Sequence, residues 1–153
     1  MYITIGYEVI MKLDEIFEEW KVDSDIDRTE LGNEALKIPK LHHKYYQIFT
    51  NERLILRKFE ADYKQLKLGK YEFYTMGPNE DTSPHWKLPP RGMLLKADVP
   101  MYMEADKEMV ELSLKIGLQQ EKVELLESII KSLINRGFQI KSAIEWTKFT
   151  MGA

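Results

Sequence analysis

Apolar positions recur at intervals of three and four over most of this chain, and the departures from that rhythm cluster in its middle. Leu13, Ile16, Phe17 and Trp20 share one side of a helical projection, with Asp14, Glu15, Glu18 and Glu19 opposite. That spacing predicts a short amphipathic helix over residues 12–20. The acidic run from Asp23 to Asp27 interrupts it. Asp27 with Glu30 three residues later has the form of a helix start, so a second helix is expected from about residue 28. Leu31, Ala35, Leu41, Tyr45, Ile48, Ile55, Phe59, Tyr63 and Leu66 carry it to residue 68. Pro39 should kink or split this helix, because proline lacks the backbone donor, and Gly69 is the expected stop.

Beyond Gly69 the pattern changes. Tyr71-Glu72-Phe73-Tyr74-Thr75 alternates and is rich in strand formers, which predicts a short strand. Four of the six prolines fall in residues 77–92, a loop long enough to suggest a functional element. Helical spacing returns from Tyr102 to Asn135, where the methionines and apolar residues read as packing surface. Asn135-Arg136-Gly137 is an expected end or bend before a final helix bearing Phe138, Ile140, Ile144, Trp146 and Phe149. The expected fold is mainly α, with long helices forming an oligomeric assembly around a short β and Pro-rich middle. The expected division is an extension over 1–10, a helical region over 11–76, a linker over 77–100 and a helical region over 101–153. Two long helices bury their apolar stripes poorly by themselves, so self-association is expected.

Composition narrows the function. The 153 residues carry a net charge of −3, which disfavours a histone-like binder, and there is no cysteine to form a disulfide, a thiolate metal site or a nucleophile. That net charge hides an asymmetry: −7 over residues 1–34, +5 over 35–75, −1 over 76–107 and 0 over 108–153. A basic stretch inside an acidic protein points to an anionic partner. No apolar run is long enough to span a bilayer, and MYITIGYEVI lacks the basic start and cleavage site of a signal peptide. Met11 would serve equally as a start, so residues 1–10 read as a dispensable extension, at most one short strand.

No catalytic pattern emerges. Gly69-Lys70 lacks the rest of a phosphate loop, adjacent His42 and His43 point about 100° apart on a helix, and His85 stands alone in the Pro-rich segment. No cofactor or metal site is expected. The basic stretch is more informative. Arg53, Arg57, Lys58, Lys64, Lys67 and Lys70 fall within 18 residues, and Tyr71, Phe73 and Tyr74 follow at once. Cations that track phosphates, beside aromatics that stack on bases, are what single-stranded nucleic acid requires. A solvated helix face followed by core aromatics would give the same pattern.

The C-terminal run Asn135-Arg136-Gly137-Phe138-Gln139-Ile140-Lys141, closing with Phe149 and Gly152, resembles the end of the UvsY-like recombination mediators of T-even-type bacteriophages. Met11 to Glu19 resembles that family's acidic amphipathic start, and Ile26-Asp27, Thr29, Leu31 and Glu34-Ala35 resemble its first long helix. Leu66-Lys67-Leu68-Gly69-Lys70, then Tyr71 to Tyr74 and Gly77, resembles its Leu-Lys-x-Arg segment with paired tyrosines. The resemblance implies a non-enzymatic single-stranded-DNA-binding protein of recombination and repair, in the cytoplasm of an infected bacterium. It implies a ring-like homo-oligomer that helps load the phage recombinase onto DNA coated by the phage single-stranded-DNA-binding protein. By position Lys67 matches the family's DNA-binding lysine and Lys70 replaces its arginine, with Gly69 inserted. The C-terminal oligomerisation role falls on Leu126, Ile130, Leu133, Ile134, Phe138, Ile140 and Ile144. Pro39 and the Pro-rich segment depart from the family pattern. The competing expectation is a helical scaffold without direct DNA binding.

Overall fold

A computed structural model describes residues 11–152, so the expected extension over 1–10 lies outside the described residues. Four helices occur among the described residues: α1 (Leu13–Asp23), α2 (Leu31–Met76), α3 (Val99–Glu104) and α4 (Lys107–Thr150). The protein is mainly helical, with no strand among the described residues. None of the described helices is long and apolar enough to cross a membrane.

The element types at the ends are as expected, and the differences lie where local signals were misleading. Asp27 does not cap α2. Its carboxylate accepts hydrogen bonds from the Thr29 backbone N–H (2.9 Å) and hydroxyl (2.6 Å), closing a turn ahead of a helix that begins at Leu31. Pro39 stands inside α2 without ending it. Nor does Gly69 end it, and Tyr71–Thr75 is helix rather than strand. Leu66, Lys70, Phe73 and Tyr74 fall on one helical face and all turn inward, a grouping that strand alternation would split, and their burial outweighs the local β preference. Gly69 has another purpose: a Cβ there would meet Cη2 of Trp86 at 3.3 Å, so the missing side chain lets the indole lie against the helix backbone. The actual stop is Gly77, at φ +83, whose N–H bonds to the Phe73 carbonyl at 2.9 Å. The Leu94 N–H satisfies the Tyr74 carbonyl at 2.8 Å.

The expected helix from Tyr102 is broken at Ala105–Asp106 into α3 and α4, where the Asp106 carboxylate accepts the Met109 N–H at 3.1 Å and so caps α4. Asn135–Gly137 does not end the helix, because α4 continues to Thr150. Helical register at Arg136 is needed inside: its side chain is buried, Nη2 donates to the Asp23 carbonyl at 2.8 Å, and the guanidinium lies 5.8 Å from the Trp20 ring centre.

The chain divides into two compact units, at 54/55 within α2 and at 118/119 within α4. The first unit comprises α1, α2 to Leu54 and α4 from Gln119. Its core is Ile16, Tyr45, Leu126, Ile129, Ile130 and Leu133, with Trp20, Leu41, Ile48 and Phe49 around it. Tyr45 is fully buried, and its hydroxyl is satisfied by donating to Asp23 at 2.7 Å; burial and that neighbouring carboxylate push its ionisation well upward. Lys44 joins Asp23 and Glu19, each at 2.6 Å. A second polar cluster is buried in the same unit: Gln119 donates to the Glu52 carbonyl and carboxylate, and Lys122 lies 3.7 Å from that carboxylate. Leu133 is wholly buried in this core, so Leu133→Ala is expected to destabilise the protein by about 2–5 kcal/mol. Chemical denaturation followed by circular dichroism checks this.

Candidate nucleic-acid interface

The second unit, residues 55–118, contains most of the basic run. Continuous helix through residue 76 sorts that run into two faces. Lys70, Phe73 and Tyr74 take the inner one and are 4%, 3% and 7% exposed. The Lys70 ammonium lies 3.1 Å from the Asp106 carboxylate and 4.0 Å from the centre of the Trp86 ring. The Tyr74 hydroxyl donates to the same carboxylate at 2.7 Å, and the Trp86 N–H donates to Glu108 at 2.8 Å. Phe73 packs edge-on against Trp86, with ring centres 5.5 Å apart. These three residues, expected from sequence to meet DNA, are therefore core groups: the cation is neutralised internally and the rings have no free face. The strand reading would have sent them to different sides.

Asp106 holds this cluster together. Burial pushes its carboxyl upward, but the hydrogen bonds from Tyr74, Met109 and Lys70, with the lysine's charge, outweigh that and hold it below the usual carboxylate range. Burial together with the Asp106 carboxylate pushes the Tyr74 phenol upward.

The neighbouring face of α2 is open. Tyr63, Lys64, Lys67, Leu68 and Tyr71 follow the i, i+1, i+4, i+5, i+8 spacing of one helix side. Val99, Pro100, Met103 and Glu104 of α3 repeat the first four of those positions and line the same groove, as does Met109. Lys96 joins from the segment before α3. The result is a groove of about 610 Å³ with apolar walls and three lysines. Arg57 and Lys58 are exposed one to two turns earlier on α2. Arg53, in the first unit, is half-buried, and its guanidinium covers the Phe49 ring at 4.9 Å. Tyr63 and Lys96 were missed from sequence: Tyr63 reads as one more apolar position of a stripe, and Lys96 is remote from the basic run, with no local signal tying it there.

The expected oligomerisation residues also divide. Leu126, Ile130, Leu133 and Ile140 are buried within the first unit's own structure and are not surface groups of the protomer. Ile144 is half-buried, whereas Ile134 and Phe138 are 59% and 72% exposed. Trp146 and Phe149, stacked at 5.8 Å, are exposed on the same helix. No group of His, Asp and Glu able to hold a metal occurs among the described residues.

The architecture and surface define a helical protein with a lysine-lined, apolar-walled groove. Comparison with known proteins makes this specific. The model of the family described as recombination, repair and ssDNA binding protein UvsY matches residues 19–153. A crystal structure of the bacteriophage T4 recombination mediator protein UvsY superposes with a TM-score of 0.79 at 20% identity, covering 93% of this chain and 99% of that one. A second crystal form of the T4 protein gives 0.75 at 21% identity, covering 92% and 99%. No curated protein sequence matches. The chain belongs to the UvsY family.

The Asp106 cluster makes a prediction about stability. Its folded pKa lies below the unfolded value near 3.8, so its contribution is complete well above that value and is lost as pH falls through the folded pKa. Asp106→Asn leaves the buried Lys70 charge uncompensated and should cost about 3 kcal/mol at pH 7. It should also flatten the acid limb of stability against pH. Urea titrations of both proteins between pH 3 and pH 7 measure the two effects together.

Proposed function

We propose that this chain is a single-stranded-DNA-binding recombination mediator, and that the open face of α2 grips the strand. The observation that carries the reading is the convergence of Lys64, Lys67 and Lys96 on one groove while Lys70 is held inside. Lysines on a surface groove neutralise phosphates as point charges, so affinity should fall steeply with salt. A protomer offers only a few such contacts. Joined protomers would present them repeatedly to one strand, raising avidity without a new kind of contact.

The family's mediator role extends the proposal. The protein would assemble as a ring of several copies, hold a strand coated by the phage single-stranded-DNA-binding protein, and help the recombinase load onto it. The exposed apolar groups of α4 support assembly: Ile134, Phe138 and Phe149 lie within about 60° of one another on the helix, with Trp146 beside them, and all four are exposed among the described residues. The infected host's cytoplasm is the corresponding location.

Lys64→Ala with Lys67→Ala should lower affinity for an oligothymidylate by about tenfold or more. The salt slope should shrink by about 0.7 for each phosphate that is no longer neutralised, with solution mass unchanged. Anisotropy titrations across a salt series, paired with light scattering, read both. Unchanged binding by the variant sinks the assignment of this face, and no binding by the unaltered protein even at low salt favours a scaffold that does not touch DNA. In the same light-scattering experiment, Phe138→Asp with Phe149→Asp should lower the solution mass toward one chain.

A further inference from the structure

We infer that the groove between α2 and α3 takes an unstacked nucleobase, so that the protein holds bases as well as phosphates; this rests on the single-strand reading above. A surface that only tracked the backbone would need lysines and no cavity. Here three lysines line a groove together with Tyr63, Tyr71, Val99 and Met103. A nucleotide has the matching division, with an apolar planar base beside a charged phosphate. Tyrosine rings and a polarisable methionine sulfur are suited to the faces of any base.

The distribution of charge orients the occupant. Lys64 and Lys67 stand on the α2 side, Lys96 enters just ahead of α3, and Glu104 is the groove's carboxylate. Glu104 repels a phosphate but accepts a hydrogen bond from an N–H on a base edge, the ring N3–H of thymine or an exocyclic amino group of another base, so the base edge turns toward Glu104 and the phosphates stay with the lysines. The groove volume of about 610 Å³ suits a small planar ligand. An acidic peptide with an aromatic anchor would also suit a lysine rim. The continuation of positive charge to Arg57, two turns earlier on α2, favours a strand that runs past the groove.

The test compares two strands of equal length on the full chain: an oligothymidylate and a base-free deoxyribose-phosphate strand, titrated by fluorescence anisotropy. The base-free strand should bind about tenfold more weakly or worse, as expected when one stacked base is removed. Tyr71→Ala should weaken oligothymidylate binding by a similar factor and leave the base-free strand unaffected, while Tyr71→Phe keeps full affinity. Equal binding of the two strands by the unaltered protein overturns this inference and leaves the single-strand reading standing. Binding of neither strand at low salt overturns both. If Tyr71→Ala leaves both strands unaffected but abolishes binding of an acidic aromatic peptide, the groove is a peptide site and the inference falls.

Discussion

The carboxylate of Asp106 organises the unit that carries the groove. It accepts from the Tyr74 hydroxyl near the end of α2, pairs with Lys70 one turn earlier, and caps the start of α4 through the Met109 N–H. Lys70 in turn sits over Trp86, which brings the Pro-rich segment against α2 at Gly69, where no side chain stands in the way. A buried ion pair with these partners gives little net stability, because both charges lose water. What it supplies is position. Removing either charge would leave the other buried and uncompensated, and the segment leading to α3 would lose one of its anchors. The groove exists because α3 is held opposite α2.

This arrangement also explains which cations are free to act. Six lysines and arginines fall within residues 53–70, yet the fold gives them different fates. Lys70 is neutralised inside and Arg53 lies across Phe49, whereas Arg57, Lys64 and Lys67 face outward. A lysine drawn from the Pro-rich segment then joins the outward set. The net charge of −3 is compatible with this, since a local basic surface can hold a polyanion while overall repulsion limits indiscriminate binding.

The helical character and both long apolar stripes could be read directly from the sequence, because spacings of three and four persist over dozens of residues. The family was legible in Arg136-Gly137-Phe138 and in the order of the flanking segments. Three local readings failed for one reason, which is that tertiary contacts decide what short signals mean. Gly69 looked like a stop but makes room for an indole; Tyr71–Thr75 looked like a strand, although its inward groups need helical register; Asn135–Gly137 looked like a helix end, but α4 continues and Arg136 reaches Asp23 from within it. Part of the candidate site was visible as Lys64, Lys67 and Tyr71. Lys96 and Tyr63 were not, since nothing in a linear sequence brings a lysine about thirty residues away to the same groove or distinguishes a groove tyrosine from a core one.

Photo-crosslinking of the full chain to a single strand carrying halogenated uracils tests the central claim most directly, because it reports where the bases lie. The account predicts crosslinked peptides containing Tyr63 to Tyr71 and the facing segment from Lys96 to Glu104, with yields that fall as salt rises. Crosslinks confined to residues 11–54 or 119–152 would contradict it.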